Sequence, residues 1–241
     1  MDADAPNAGV GSYRPPVRRA LLVLYLAIAA FLFLVAIAGL HPQIAVSSLT
    51  RDMAAIANVH PLTGVVSNVG ILLWCAAAAI CFFSSSLLRR QGAQPEARFL
   101  MWAGLMTTGL LVDDFFLFHE YLAPVHLGFN EKAVHASYVC VTVAYLLSHR
   151  HLILETNYRL LAAALVLFAG SILLDVAGGH GWWVLAEDGC KLFGISTWFA
   201  YHAATARHWL VQSPALRNPQ TNSTPEASIF RWPLRLARRR R

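Results

Sequence analysis

Charged residues are scarce in this sequence. They make up 13% of its 241 residues, whereas about a quarter is usual for soluble globular proteins. Hydrophobic residues make up 57%, and runs of about 18 or more nearly uncharged residues recur along the chain, which is the length that a helix needs to cross a bilayer. The composition therefore predicts an all-α, polytopic helical membrane protein.

The sequence also lacks the motifs of several other protein classes. It has no Gly-rich phosphate loop, no nucleic-acid-binding motif and no HExxH zinc motif,. Its four cysteines lie in or beside apolar runs without CxxC spacing, so we interpret them as packing residues rather than as a disulfide framework: Cys75, Cys81, Cys140 and Cys190,. These absences disfavour nucleotide binding, nucleic-acid binding and a disulfide-rich secreted fold.

Six apolar stretches predict six transmembrane helices in a single bundle within residues 20–210. They cover residues 20–40, 61–88, 99–121, 133–148, 160–176 and 186–210. The polar head (residues 1–19) and the basic tail (residues 211–241) are predicted to be disordered, and a short surface helix is expected around Ser47–Ala57. Ala36-Ile37-Ala38 resembles a signal-peptidase site, but the first apolar run exceeds the usual length of a signal peptide, which favours a retained helix.

Basic residues are distributed unevenly along the chain. Sixteen of the nineteen Lys and Arg residues lie in the head, the tail with the adjacent Arg207, and the loops at 88–98 and 149–159. By the positive-inside rule, both termini are predicted to be cytoplasmic, in a cell (inner) membrane. The basic tail is expected to contact anionic lipid, and we predict no nucleic-acid partner.

Ionisable residues cluster at the end of the third apolar stretch, where Asp113, Asp114, His119 and Glu120 occur within eight residues. Each such group at the bilayer centre costs roughly 2.5–3.5 kcal/mol, so it normally has a partner or a function. On a continuous helix, Asp113 and Glu120 share one face, Asp114 lies about 100° away, and His119 points elsewhere.

Counting along each helix places further polar groups at the same depth. With 1.5 Å rise per residue from the cytoplasmic basic anchors, Asp113, His135, Asp175 and Lys191 lie about 22–24 Å from that end. This is the outer third of a hydrocarbon core about 30 Å thick. We therefore expect these four side chains to meet in one polar layer. Lys191 is expected to pair with Glu187 or Asp188, one turn before it.

The first functional hypothesis is a metal-dependent, hydrolase-like membrane enzyme acting on a lipid or another hydrophobic substrate. A divalent metal (zinc, iron or manganese) would activate water there. The candidate metal ligands are His119, His135, Asp113 and Asp175. The candidate catalytic residues are Asp113, Asp114, Asp175 and Lys191. The candidate substrate-binding residues are Ser67, Asn68, Glu120 and Asp188.

Two further function classes stay open at this point. Acidic residues within spans suit a proton- or cation-coupled transporter or channel, although the inner half of the spans is almost purely apolar apart from His202, which we expect to be structural. A structural or assembly subunit with a membrane-protein partner is the third class, since polar contacts between helices fix their register. Haem ligation by histidine is a minor fourth option.

Overall fold

The structure is a computed structural model that describes residues 17–42, 44–178 and 180–212, without the side chains of residues 17–20 and 131. Most of the described residues are helical, and no strand occurs among them. The all-α prediction is therefore confirmed. Residues 1–16 and 213–241, which contain most of the predicted head and the basic tail, lie outside the described residues.

The chain divides into two compact units, with the boundary between Thr63 and Gly64. In the first unit, α1 (Val17–Ala38) precedes two short helices, α2 (Val46–Thr50) and α3 (Met53–Ala57). The single short helix expected around residues 47–57 is therefore two. Asp52 separates them because its carboxylate accepts hydrogen bonds from the backbone N–H groups of Ala54 and Ala55, at 2.8 and 3.4 Å, and so begins α3,.

The second unit contains the remaining elements. In chain order they are α4 (Val65–Arg90), α5 (Gln94–Phe116), a π-helical turn (Phe118–Leu122), α6 (Ala123–His126), α7 (Glu131–Ser148), α8 (Arg150–Leu154), α9 (Tyr158–Ala177) and α10 (Trp182–Gln212). Helix α4 packs on α5 and on α10, and α10 packs on α9. The longest helices of this unit thus form one bundle.

Small residues allow close contact at two of these helix pairs. A Cβ atom on Gly104 of α5 would lie 2.9 Å from Cε1 of Phe82 on α4, and one on Gly194 of α10 would lie 2.7 Å from Cε1 of Phe168 on α9. Small residues are enriched where helices approach within membranes, because dispersion contacts rather than hydrophobic burial hold them there. Phe168 is thereby held against α10, beside the site described below.

Among the described residues, four helices are long and apolar enough to cross a membrane: Leu21–Ala38 within α1, and α4, α5 and α9. This finding supports the predicted membrane character of the protein. Helices α7 and α10 are not among the four, and the first turns of α10 carry Glu187, Asp188 and Lys191. Six spans and cytoplasmic termini stay predictions.

Helix α5 ends five residues before the predicted end of the third span. Leu117 adopts the left-handed conformation, with φ 51° and ψ 46°, and its N–H donates to the carbonyl of Asp113. This conformation costs a residue with a Cβ atom about 1–2 kcal/mol. The π-helical turn follows directly, and both features are frequent at functional sites. The side chains that directly follow Phe116 therefore do not take the directions that a continuous helix would give them.

Candidate functional site

The end of α5 brings His119 back onto Asp113. The backbone N–H of His119 donates to Oδ1 of Asp113 at 3.0 Å, and Nδ1 of His119 lies 2.6 Å from Oδ2. The prediction that His119 points away from Asp113 is therefore wrong. It assumed a continuous helix, whereas α5 ends at Phe116 and is followed by the left-handed Leu117 and the π-helical turn.

A third donor completes the surroundings of Asp113. The hydroxyl of Tyr138, on α7, donates to Oδ1 of Asp113 at 2.7 Å. The residue is only 5% exposed, and a buried carboxylate is stable when donors satisfy its oxygens. Because an ionised Asp113 can only accept, Nδ1 of His119 carries the proton, and Nε2 is the nitrogen that can exchange protons with a ligand. Glu120 Oε1 lies 3.5 Å from this Nε2.

A second charged pair lies next to the first. Lys191 Nζ of α10 is 2.7 Å from Oδ1 of Asp114, and the indole Nε1–H of Trp74 donates to Oδ2 at 2.8 Å. The expected partners of Lys191, Glu187 and Asp188, form no salt bridge with it. The Asp114 side chain is 10% exposed, and the Coulomb attraction between a carboxylate and an ammonium group is stronger at such a desolvated position than in water.

One cavity of about 400 Å³ contains both pairs. Its walls come from α4, α5, the π-helical turn, α7, α9 and α10, and they include all four residues that the depth count predicted to meet: Asp113, His135, Asp175 and Lys191. The imidazole rings of His119 and His135 have centroids 4.8 Å apart. Glu120, Glu187 and the buried hydroxyl-bearing Ser171 also line the cavity.

Three of the predicted substrate-binding residues do not line this cavity. Ser67 and Asn68 are exposed on α4, and Asp188 is half-buried on α10 without reaching the cavity wall. The residue of α4 that does reach it is Trp74, which lies about 9 Å farther along the helix axis than Asn68. Trp74 lies about 22 Å from Arg89 along α4, the depth predicted for the polar layer, whereas the same count puts Ser67 and Asn68 about 32 Å out. Glu120, the fourth predicted substrate-binding residue, lines the cavity.

Sequence reasoning missed Tyr138 and the aromatic wall of the cavity. Tyr138 follows His135 by three residues on α7, so it shares a helix face with that histidine, and this spacing was the available signal. Trp74 stacks on Phe168 with ring centroids 5.7 Å apart and meets Trp198 edge-on at 6.3 Å. Trp198 in turn donates its indole N–H to Thr107 Oγ1 at 3.0 Å.

Comparison with protein-family models identifies the family of this chain. Residues 21–205 match the family model described as Domain of unknown function (DUF8692). The chain belongs to this family. The match includes every residue of the cavity wall, from Trp74 to Trp198. No curated protein and no solved structure matches the chain significantly.

Polar groups of the DUF8692 domain also occur beyond the aromatic wall. His202 of α10 is fully buried, and its Nδ1 donates to the carbonyl oxygen of Trp198 at 2.9 Å. Its Nε2 and the hydroxyl of Tyr145 are buried without a hydrogen-bond partner among the described residues. Ser84, Ser85 and Thr205 are buried as well. The part of the bundle remote from the charged cavity is therefore less apolar than predicted.

A metal centre needs several ligands that converge. Among the described residues, no group of three or more His, Cys, Asp and Glu side chains is placed to hold a metal ion. Nδ1 of His119 is engaged by Asp113, which leaves one nitrogen of that ring. The predicted divalent metal at His119, His135, Asp113 and Asp175 stays a prediction, as does the anionic-lipid contact of the tail, which lies outside the described residues. The contacts observed at this site are those that the acidic and basic side chains of the chain itself make.

Proposed function

We propose that this DUF8692 protein is a multi-pass membrane enzyme of the cell (inner) membrane, with both termini cytoplasmic, that acts on a lipid or another hydrophobic substrate by acid–base chemistry. The observation that carries the proposal is the Asp113–His119 pair, with Nδ1 2.6 Å from Oδ2, on the wall of a cavity of about 400 Å³. Ligand cavities in proteins commonly measure about 300–1,000 Å³.

The chemistry follows from which nitrogen of His119 is occupied. A carboxylate at Nδ1 sets the tautomer and orientation of the ring and stabilises its protonated form, and Nε2 then accepts and returns a proton. For hydrolysis, Nε2 takes a proton from water as the water oxygen attacks an ester or amide carbon. It then gives the proton to the departing oxygen or nitrogen, so the imidazole ends unchanged. The ammonium of Lys191 supplies positive charge in the same cavity for the developing oxyanion,.

The rest of the cavity wall suits a hydrophobic substrate. Apolar side chains from α7 and α9 complete it, among them Val139, Val143, Leu146, Leu165 and Ile172. A few convergent polar groups within apolar walls are typical of a site that fixes the polar part of a ligand while burying the remainder. Membrane lipids have this division of polar and apolar parts.

The test uses the full chain reconstituted in nanodiscs made from a bacterial lipid extract, with lipid composition followed by mass spectrometry. We expect the wild type to convert at least one lipid species and His119→Gln to lower the rate by about 100-fold or more, the usual contribution of a general acid–base group. His208→Gln, an exposed histidine of α10 outside the cavity wall, is the matched control. Identical lipid profiles for wild type and His119→Gln would contradict the proposal.

A proton-coupled transporter is the second candidate. It is favoured by the buried Nε2 of His202, which has no hydrogen-bond partner in the described part of the chain. His202 lies one helical turn beyond Trp198 of the cavity wall. In liposomes with an imposed pH gradient, a transporter would give a higher proton flux than that of protein-free liposomes. Both His119→Gln and His202→Phe would lower that flux. Lipid conversion without proton flux favours the enzyme.

A further inference from the structure

A second cavity lies between α5 and α7. It has a volume of about 670 Å³, and its wall is mostly apolar, with Trp102, Leu105 and Met106 from α5 and Val141 and Ala144 from α7. We refer to it as the α5–α7 groove. Leu105 and Val141 are about half exposed, so the groove is open along its side. Exposed apolar side chains on a membrane protein face lipid, and a molecule in the bilayer can therefore enter this groove laterally.

The α5–α7 groove continues the polar cavity. Leu110, Tyr138 and Thr142 line both. Tyr138 marks the junction, because its hydroxyl donates to Asp113 while its ring forms part of the groove wall. Tyrosine often sits at such boundaries, since one end of the side chain is polar and the other apolar. The two cavities thus form one site with a charged end and an apolar arm.

The length of the apolar arm matches one lipid chain. On α7 the groove extends from Ser137 to Ser148, a distance of about 16 Å along the helix axis. A hydrocarbon core about 30 Å thick contains two leaflets, so one chain occupies about half of that depth. The groove therefore accommodates a single chain, whereas a two-chain lipid would leave its second chain outside.

The charged end favours a cation. Of the described residues, five carboxylates line the polar cavity, against one lysine and two histidines: Asp113, Asp114, Glu120, Asp175 and Glu187, with Lys191, His119 and His135. Carboxylates therefore exceed cations by two even when both histidines are protonated. Asp175 and Glu187 form no ion pair with another described residue. A cavity with this excess of negative charge complements a positive ligand.

We propose that the ligand of this site is an amphipathic molecule with one hydrocarbon chain and a cationic amine head group. The head group occupies the polar cavity beside Asp175 and Glu187, and the chain follows the α5–α7 groove past Tyr138. This inference rests on the proposed function, because it assigns a substrate class to the same cavity.

Gly109 offers a direct way to close the groove. It lines the groove within α5, and a Cβ atom built on it meets no other heavy atom within 4 Å. Gly109→Leu therefore fills the groove without a clash at its Cβ, and leucine is a better helix former than glycine. Gly189 of α10 is the matched control, since its Cβ also meets nothing within 4 Å and it lines neither cavity.

The experiment uses the full chain in phosphatidylcholine nanodiscs and dodecylamine that carries a photoreactive diazirine at its chain end. After illumination and digestion, mass spectrometry locates the label. We expect it on α5 and α7 residues at the end of the groove remote from Asp113, around Trp102 and Ser148. Dodecanoic acid with the same diazirine should label these residues about tenfold less, corresponding to about 1.4 kcal/mol of binding free energy.

Variants then separate the two parts of the ligand. Gly109→Leu should lower labelling by dodecylamine about tenfold, a loss of about 1.4 kcal/mol, while Gly189→Leu keeps the wild-type level. Asp175→Asn combined with Glu187→Gln should remove the preference for the amine over the acid but leave the labelled positions unchanged. Circular dichroism and thermal melts confirm that each variant is folded before labelling is compared.

Two outcomes would overturn the inference. Equal labelling by the amine and the acid in wild type would contradict the cationic head group. Label outside the groove, or labelling that Gly109→Leu does not change, would contradict the path of the chain. Either result together with lipid conversion that depends on His119 would leave the proposed function standing. Groove labelling without any lipid conversion would instead support the proposed ligand and contradict the proposed enzymatic function.

Discussion

The carboxylate of Asp113 lies 2.6 Å from Nδ1 of His119, although the two residues are six positions apart and a continuous helix would direct their side chains to different faces. The left-handed Leu117 makes this pairing possible. A strained residue at the end of α5 thus determines which ring nitrogen faces the cavity, and the acid–base proposal depends on it.

The conformation of Leu117 can be tested by substitution. Glycine adopts φ above zero without the steric cost that a Cβ atom brings, so Leu117→Gly should keep the Asp113–His119 pair and the lipid conversion of the wild type. A β-branched residue is a strong outlier at positive φ, so Leu117→Val should lower conversion and thermal stability together. Activity and melting temperature in detergent are the measurements. Equal behaviour of the two variants would show that the conformation is unimportant.

The Asp114–Lys191 pair should show energetic coupling. Removing one partner leaves the other charge desolvated, so Asp114→Asn and Lys191→Met should each destabilise the protein, and the double variant should lose less than the sum. We expect a coupling of about 0.5–3 kcal/mol, toward the lower end because the Lys191 side chain is 37% exposed,. A double-mutant cycle of chemical unfolding in detergent measures it. A double variant whose destabilisation equals the sum of the two single ones would contradict the ion pair.

Glycine at position 194 should be required for packing, unlike glycine at position 189. A Cβ atom on residue 194 would lie 2.7 Å from the ring of Phe168, so Gly194→Ala should destabilise the bundle by about 1–3 kcal/mol through overpacking. Gly189 faces open space, and Gly189→Ala should stabilise the helix by up to about 1 kcal/mol. The unfolding transitions of the two variants provide the comparison. A change in stability of the same sign in both variants would contradict this packing.

The predicted orientation has its own test. In a chain whose four native cysteines are replaced, Ala93→Cys lies in the α4–α5 loop and Phe129→Cys lies before α7. With both termini cytoplasmic, a membrane-impermeant maleimide added to intact cells should label position 129 and not position 93. Labelling of position 93 alone would place the protein in the opposite orientation. Lysed cells, in which both positions should react, control for accessibility.

Much of the site could be read from the residues in order. Hydrophobic runs predicted the helices, and counting 1.5 Å per residue brought Asp113, His135, Asp175 and Lys191 to one level. Their presence on the wall of one cavity agrees with that count. Helices packed side by side have the same rise per residue, so distance along the chain becomes position along the bundle axis.

Partners within the layer were less accessible to sequence reasoning. Lys191 pairs with Asp114 of α5 rather than with an acid of its own helix, and Tyr138 contributes to Asp113 from α7. The position of a residue along its helix axis does not determine how that helix is rotated about the axis relative to its neighbours. That rotation follows from contacts between helices, such as Gly194 against Phe168, which no single stretch of sequence contains.

The sequence by itself determined that this chain is helical, that its long helices are apolar, and at which end of them the ionisable groups lie, since these properties depend on local composition and helical rise. The tertiary structure alone decided that α5 stops at Leu117, a residue type without any turn preference, and that His119 therefore returns to Asp113. It also decided that α5 and α7 leave a groove beside the charged cavity. Local rules cannot supply these features, because they arise from the balance of packing and hydrogen bonding among several helices at once.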